Sequence, residues 1–214
     1  MKITLLCSDA NHPINAFLEA WLYAQRGIHE VELIRRKSQL SGGDLLFLIS
    51  CSEIIEKYDR NKFLATLVLH ASDLPKGRGW SPHVWEIAAG ANHITLSLLE
   101  AEDEVDAGKI LEKRQIAIPK NALWDEINHL LFTAEIDLID LAVKDFGKQK
   151  AEPQGSSEKA TYYPKRTARD GQLDPDKTIA EQFDQIRVCD PNRFPAFFEL
   201  RGRKYKLFVE RLNE

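Results

Sequence analysis

The chain has 214 residues, 43% of them hydrophobic, and a formal net charge of −4. That is enough for one sizeable domain with its own core and a small appendage, and it leaves no strong basic field to hold a long nucleic acid. The apolar run at residues 1–7 is too short for a signal peptide, and no stretch is long enough to span a membrane, so a cytoplasmic protein is expected.

Strand-like and helix-like segments alternate along the first half. Residues 3–7 read as a short buried strand. Pro13 opens a predicted helix through Phe17, Trp21 and Tyr23 that ends near Gly27. Residues 29–34 read as a second strand. The continuous apolar run 45–49, after Gly42-Gly43, reads as a strand buried on both faces. A short helix is expected over 52–58, a buried strand over 66–69 and a helix over 82–89. This order predicts an α/β fold, a Rossmann-like mostly parallel sheet wrapped by helices.

The pattern then changes. Segments 93–99 and 110–118 are strand-like and flank the turn Val105-Asp106-Ala107-Gly108. From 122 to 146 apolar residues recur at helical spacing (Leu123, Ile127, Leu131, Leu138), the stripe of a long amphipathic helix. Residues 147–161 are polar and read as a mobile linker. The rest is a small helix/hairpin tail, with a helix near 179–186 and strands 197–200 and 204–209 joined at Arg201-Gly202-Arg203. The expected organisation is a main domain over 1–146, the linker, and a C-terminal tail over 162–214 packed on that domain. Cys7, Cys51 and Cys189 are scattered and odd in number, as for reduced thiols in a cytosolic protein, and no Cys/His cluster has metal-ligand spacing.

The apolar run 67–69 leads into His70-Ala71-Ser72-Asp73-Leu74-Pro75-Lys76-Gly77-Arg78-Gly79. Such a Pro/Gly-shaped loop sits at the carboxyl end of a parallel sheet, the edge where ligands bind in open α/β folds. An imidazole there is a proton carrier near neutral pH. Asp106, on a turn from another part of the chain, would orient that ring and stabilise its cation, or take a proton from an attacking amine. Each residue alone reads as structure: a strand-end histidine, a turn aspartate, a solvated loop. Their combination points to chemistry because it matches a family pattern at several positions together.

His70, Leu74-Pro75, Arg78-Gly79 and Asp106-Ala107-Gly108 resemble the folate-dependent formyltransferases, a family with a His-x-Ser-Leu-Leu-Pro-x-x-Arg-Gly-type segment followed by an Asp-x-Gly turn. Ser81-Pro82 and Trp85 resemble the start of the family's next helix. The resemblance covers residues 44–118 well and 162–198 weakly. It implies 10-formyltetrahydrofolate as cofactor and formyl transfer to an amine within 1–146 as the catalytic domain. It also implies His70 as a donor to the oxyanion and Asp106 as the group that holds His70 and assists proton removal. The family carries Asn two positions before the histidine, whereas this chain has Val68. Either His70 is the main donor, or Ser72 or a backbone N–H replaces the amide, or the chain is a folate- or nucleotide-sugar-binding protein without transferase activity.

Within the family, length and tail resemble the nucleotide-sugar N-formyltransferases, which act on nucleotide-linked 4-amino-4,6-dideoxy sugars of bacterial surface polysaccharide (O-antigen). A methionyl-tRNA formyltransferase-like enzyme is the alternative. The resemblance implies a GDP-, dTDP- or UDP-linked amino sugar as partner, no nucleic acid, no membrane, and a homodimer through the tail. The catalytic pair would be His70 and Asp106. The folate would meet Leu48, Ile49, Ser50 and Cys51 on one side and Glu104 and Val105 on the other. Expected acceptor contacts are His12, Asn15, Lys76, Arg78, Trp80, Tyr163 and Arg166. No metal site is expected.

Overall fold

The computed structural model describes residues 1–148, 150–155 and 159–212. The main sheet has six strands: β1 (Lys2–Leu6), β2 (Glu30–Ile34), β3 (Gly43–Leu48), β4 (Phe63–His70), β6 (His93–Glu100) and β7 (Ile110–Ala117), with the two-residue β5 (Arg78–Gly79) outside it. Their order is β2-β1-β3-β4-β6-β7. The first four are parallel, and β6 and β7 join antiparallel. The expected mostly parallel α/β sheet is present.

The apolar runs explain this arrangement. In β1, Ile3 and Leu5 face one core with Leu45 and Phe47 of β3, Leu67 and Leu69 of β4, and Ile94, Leu96 and Leu98 of β6. That face is covered by α1 (Asn15–Gln25), α3 (Pro82–Ala88) and α4 (Trp124–Lys144), which contribute Leu18, Ile87 and Leu131. Leu6, Leu46, Leu48 and Phe63 point the other way, into a smaller cluster with Leu40 and Ile55. Strand side chains alternate between faces, so a strand buried on both sides must be apolar throughout, as 45–49 is.

The helix expected over 52–58 is shorter than predicted: α2 is only Lys57–Arg60. Residues 51–56 instead tie loops together. Ser52 N donates to Ser8 Oγ at 3.1 Å, Glu53 Oε2 accepts from Lys37 N at 2.7 Å, and Ile55 fills the smaller core.

The C-terminal part comprises β8 (Tyr162–Tyr163), β9 (Gln172–Leu173), α5 (Ile179–Arg187), β10 (Ala196–Leu200) and β11 (Arg203–Leu207). β8 pairs with β5, and β11, β10 and β9 form a second sheet. Arg201 and Gly202 both have positive φ, 52° and 73°, the signature of a two-residue type I′ hairpin turn. Arg187 is 1% exposed and fastens this part to the sheet. Its guanidinium donates to Pro119 O at 3.2 Å and Ala91 O at 3.3 Å, and pairs with Asp184 at 2.6 Å.

Several described residues of the expected linker, 147–161, bond to the rest of the chain. Glu152 and Ile110 exchange two backbone hydrogen bonds of 2.8 Å, and the side chains of Gln154 and Thr161 bond the loops near His70. These polar side chains satisfy backbone groups of the site, so the described part of the segment is anchored there. Residues 149 and 156–158 lie outside the described residues.

Candidate active site

The chain runs from β1 out to β2 and returns on the other side of β1 as β3. This reversal leaves a crevice at the carboxyl ends of β1 and β3, and β4 ends beside it. Four expected site segments gather at this edge: the loop after β1, residues 48–51, His70 with its loop, and the turn carrying Asp106.

His70 ends β4 and is 8% exposed. Its Nε2 lies 2.8 Å from Gly77 O, and a carbonyl only accepts, so Nε2 carries the hydrogen. Its Nδ1 lies 3.5 Å from Asp106 Oδ1. The other Asp106 oxygen accepts from Gly79 N at 2.9 Å. Both ring nitrogens thus face acceptors, an arrangement that a cationic imidazole satisfies at both ends.

Local backbone makes the pairing. Gly79 has φ +95°, and a Cβ there would lie 2.5 Å from Tyr163 O, so only glycine lets β5 approach β8 with its N–H toward Asp106. Asp106 itself has φ +56°. At Gly108 a Cβ would lie 1.8 Å from Glu100 O, which explains the glycine that closes the turn.

On the other side of the crevice, His12 Nδ1 accepts from Ile14 N at 3.3 Å and Nε2 lies 3.2 Å from Ser50 Oγ. An expected acceptor contact and an expected folate contact therefore meet. Burial, assisted by Arg193, lowers the His12 pKa to about 4. His12 is neutral near pH 7 and offers hydrogen bonds rather than charge. His83 was missed in the sequence, where it reads as one polar residue in a short helix. Burial and the nearby His12, His70 and Arg166 lower its pKa to about 3, and its buried Nδ1 has no hydrogen-bond partner in the chain.

Other expected contacts are engaged within the protein. Asn15, an expected acceptor contact, is 8% exposed, and its amide donates to Asp9 O, Ala10 O and His12 O, so within the chain it clasps the loop after β1. Arg78 is buried and donates to Glu104 Oε1 at 2.6 Å, Gln154 Oε1 at 2.9 Å and Tyr162 Oη at 3.1 Å. Arg78 and Glu104 were expected on opposite ligands, yet they bind each other, because a buried guanidinium needs a carboxylate partner and takes the nearest one. Tyr163 stacks on Trp85 at 6.3 Å and lines a groove of about 480 Å³ with Asp73, Glu86 and Gln115, a groove that includes neither His70 nor Asp106. Arg166 lies over Phe194 at 5.4 Å, and Lys165 lies 4.6 Å over the Trp80 ring. Lys76 is exposed on the loop, and Val105 is 50% exposed beside Asp106. Val68 packs with Leu48 and Cys51 against the smaller core, so no amide stands there. Among the described residues, no group of three or more His, Cys, Asp or Glu could hold a metal ion, and no helix is long and apolar enough to cross a membrane.

The family model for formyl transferases matches residues 3–143. The chain spans about half the length of the curated relatives it matches: the methionyl-tRNA formyltransferase of Desulfotalea psychrophila is 31% identical over 156 residues, 70% of this chain and 46% of the relative. Among solved structures, a methionyl-tRNA formyltransferase from Clostridium thermocellum superposes with TM-score 0.80 at 21% identity, over 95% of this chain and 90% of that one. A sugar N-formyltransferase from Shewanella sp. FDAARGOS_354 gives 0.73 at 19% identity over 100% of both chains. HypX from Aquifex aeolicus, solved with tetrahydrofolic acid, gives 0.77 at 22% identity over 98% of this chain and 37% of that one.

Proposed function

This chain belongs to the formyl transferase family, and from that premise we propose that it moves a formyl group from 10-formyltetrahydrofolate to the amine of a nucleotide-linked 4-amino-4,6-dideoxy sugar in the cytoplasm. GDP, dTDP and UDP are the nucleotides to test. The observation that carries formyl transfer is the His70–Asp106 pair at the carboxyl edge of the sheet, inside the matched residues.

The residues present fit a folate. A pterin edge alternates donors and acceptors, which backbone groups past the end of β3 can meet. The partly buried Val68 and Cys51, beside the end of β3, offer apolar surface for its rings. Leu48, Ile49, Ser50 and Cys51 would hold it there. Bound, the folate supplies an activated formyl group. His70 already gives its Nε2 proton to a carbonyl oxygen, that of Gly77, and the formyl oxygen is an acceptor of the same kind. With folate bound, His70 Nε2–H would donate to the formyl oxygen instead of to Gly77 O. Asp106 holds the ring by Nδ1, balances its positive charge and assists removal of the proton from the amine. With Val68 in place of an amide, His70 is the main side-chain donor.

The sugar acceptor is supported by the fold shared with a sugar N-formyltransferase over the whole chain. Methionyl-tRNA is the second reading, favoured by the sequence relatives. A single-turnover assay with 10-formyltetrahydrofolate, the panel of amino-sugar nucleotides and methionyl-tRNA separates them: the product that gains one formyl group by mass names the acceptor. No gain on any amine, with folate still bound, would return the chain to a binding protein. A homodimer through the C-terminal part belongs to the same reading, supported by the outer strand β11 with exposed Tyr205 (44%) and, just past its end, exposed Phe208 (61%). A monomer by light scattering at working concentration would remove it.

A further inference from the structure

Gln154 stands in the polar stretch before β8. Its Nε2 donates to Asp106 O at 2.7 Å and to Gly108 O at 2.9 Å. Its Oε1 accepts from Arg78 Nη2 at 2.9 Å. A primary amide has one donating and one accepting end, and here the donating end meets two carbonyls while the accepting end meets a guanidinium. The orientation of the side chain is therefore fixed by chemistry. Arg78 in turn is held by Glu104 and Tyr162.

The two carbonyls belong to the turn that carries Asp106. Asp106 sits at φ +56°, a conformation that costs an L-residue energy and persists only where its surroundings enforce it. Gly79 N steadies the carboxylate from one side, but the only side chain bonded to the turn's backbone carbonyls, among the described residues, is that of Gln154. We propose that Gln154 is a positioning residue: it clamps the 106–108 turn so that the Asp106 carboxylate stays against His70 and the Gly79 amide. The stretch that looked like a connector thereby contributes to the site. The proposal rests on the reading above only in giving Asp106 its catalytic part.

Two variants test it. Gln154→Leu keeps the bulk and removes all three hydrogen bonds. Gln154→Glu keeps the shape and sets a carboxylate oxygen against two carbonyls. In both, kcat for formyl transfer falls by about ten- to a hundredfold, as expected when a reacting group is displaced by about an ångström. KM stays within about threefold, which separates positioning from a loss of binding, and the unfolding midpoint falls modestly with the lost hydrogen bonds while both variants stay folded at the assay temperature. Amide hydrogen exchange gives a readout independent of turnover: Gly79, which donates to Asp106, exchanges about tenfold faster, while the amides of β1 and β3 keep their rates. In an Asp106→Asn background, Gln154→Leu lowers kcat little further, because the group it positions is already gone.

Unchanged Gly79 exchange in the variants overturns the proposal, as does a kcat loss fully additive with Asp106→Asn. If the parent protein transfers no formyl group to any acceptor, the functional reading fails instead, and Gly79 exchange alone still decides whether Gln154 positions the turn.

Discussion

Asp106→Asn is expected to lower kcat for formyl transfer by about a thousandfold, within the two to four orders of magnitude that positioned acid–base groups contribute. The geometry explains why so small a change is so costly. An asparagine oxygen can still accept from Gly79 N, so the turn keeps its shape. The amide nitrogen would then face His70 Nδ1, where a carboxylate oxygen now lies at 3.5 Å. It brings a donor and no charge. His70 would keep its Nε2 hydrogen and still bond an acceptor, but nothing would balance a second ring proton or take one from the amine. Substrate KM values should move little, since neither partner is lost from the binding surfaces. Single-turnover rates on folded protein check this, with the backbone verified by circular dichroism. A variant within about tenfold of the parent would remove Asp106 from the chemistry.

Much of this arrangement is written in local pattern. The run 45–49 is apolar at every position because β3 is buried on both faces, and the sheet order follows from alternating elements. His70 and Asp106 are legible because each is followed by a glycine turn that shapes the backbone around it. The rest depends on contacts between distant segments. Asn15 and Arg78 carry the side chains of ligand contacts, and only the folded chain shows that loop carbonyls and Glu104 engage them first. Gln154 sits in a stretch without periodicity or apolar anchor, so its composition resembles a linker even though its amide meets Asp106. His83 and Glu135 fall on helices where one polar residue reads as a solvated position. No helical periodicity announces that such a residue faces inward.

Glu135 shows what such an inward residue does to stability. It lies on α4, 7% exposed, with Oε2 unpartnered in the chain, and burial raises its pKa from 4.5 to about 8. Between those values the folded chain holds a proton that the unfolded chain has released. The native state binds the extra proton, so stability falls as pH rises across this window, by about 1.4 kcal/mol per unit. The stability is fully present below pH 4.5, and its loss levels off above about pH 8, where the folded carboxyl ionises too. At pH 7 the deficit from this one group is on the order of 3 kcal/mol. Glu135→Met fills the same space with no group to ionise, next to Leu131 and Leu138 one helical turn away on either side. The variant should therefore be more stable than the parent by about that amount at pH 7, and the gain should shrink steadily as pH is lowered toward 4.5. Denaturant unfolding of both proteins at several pH values measures the difference, in which the titration of all other groups cancels. Parallel stability curves across this range would mean that Glu135 is ionised in the folded chain and that its carboxylate has found solvent.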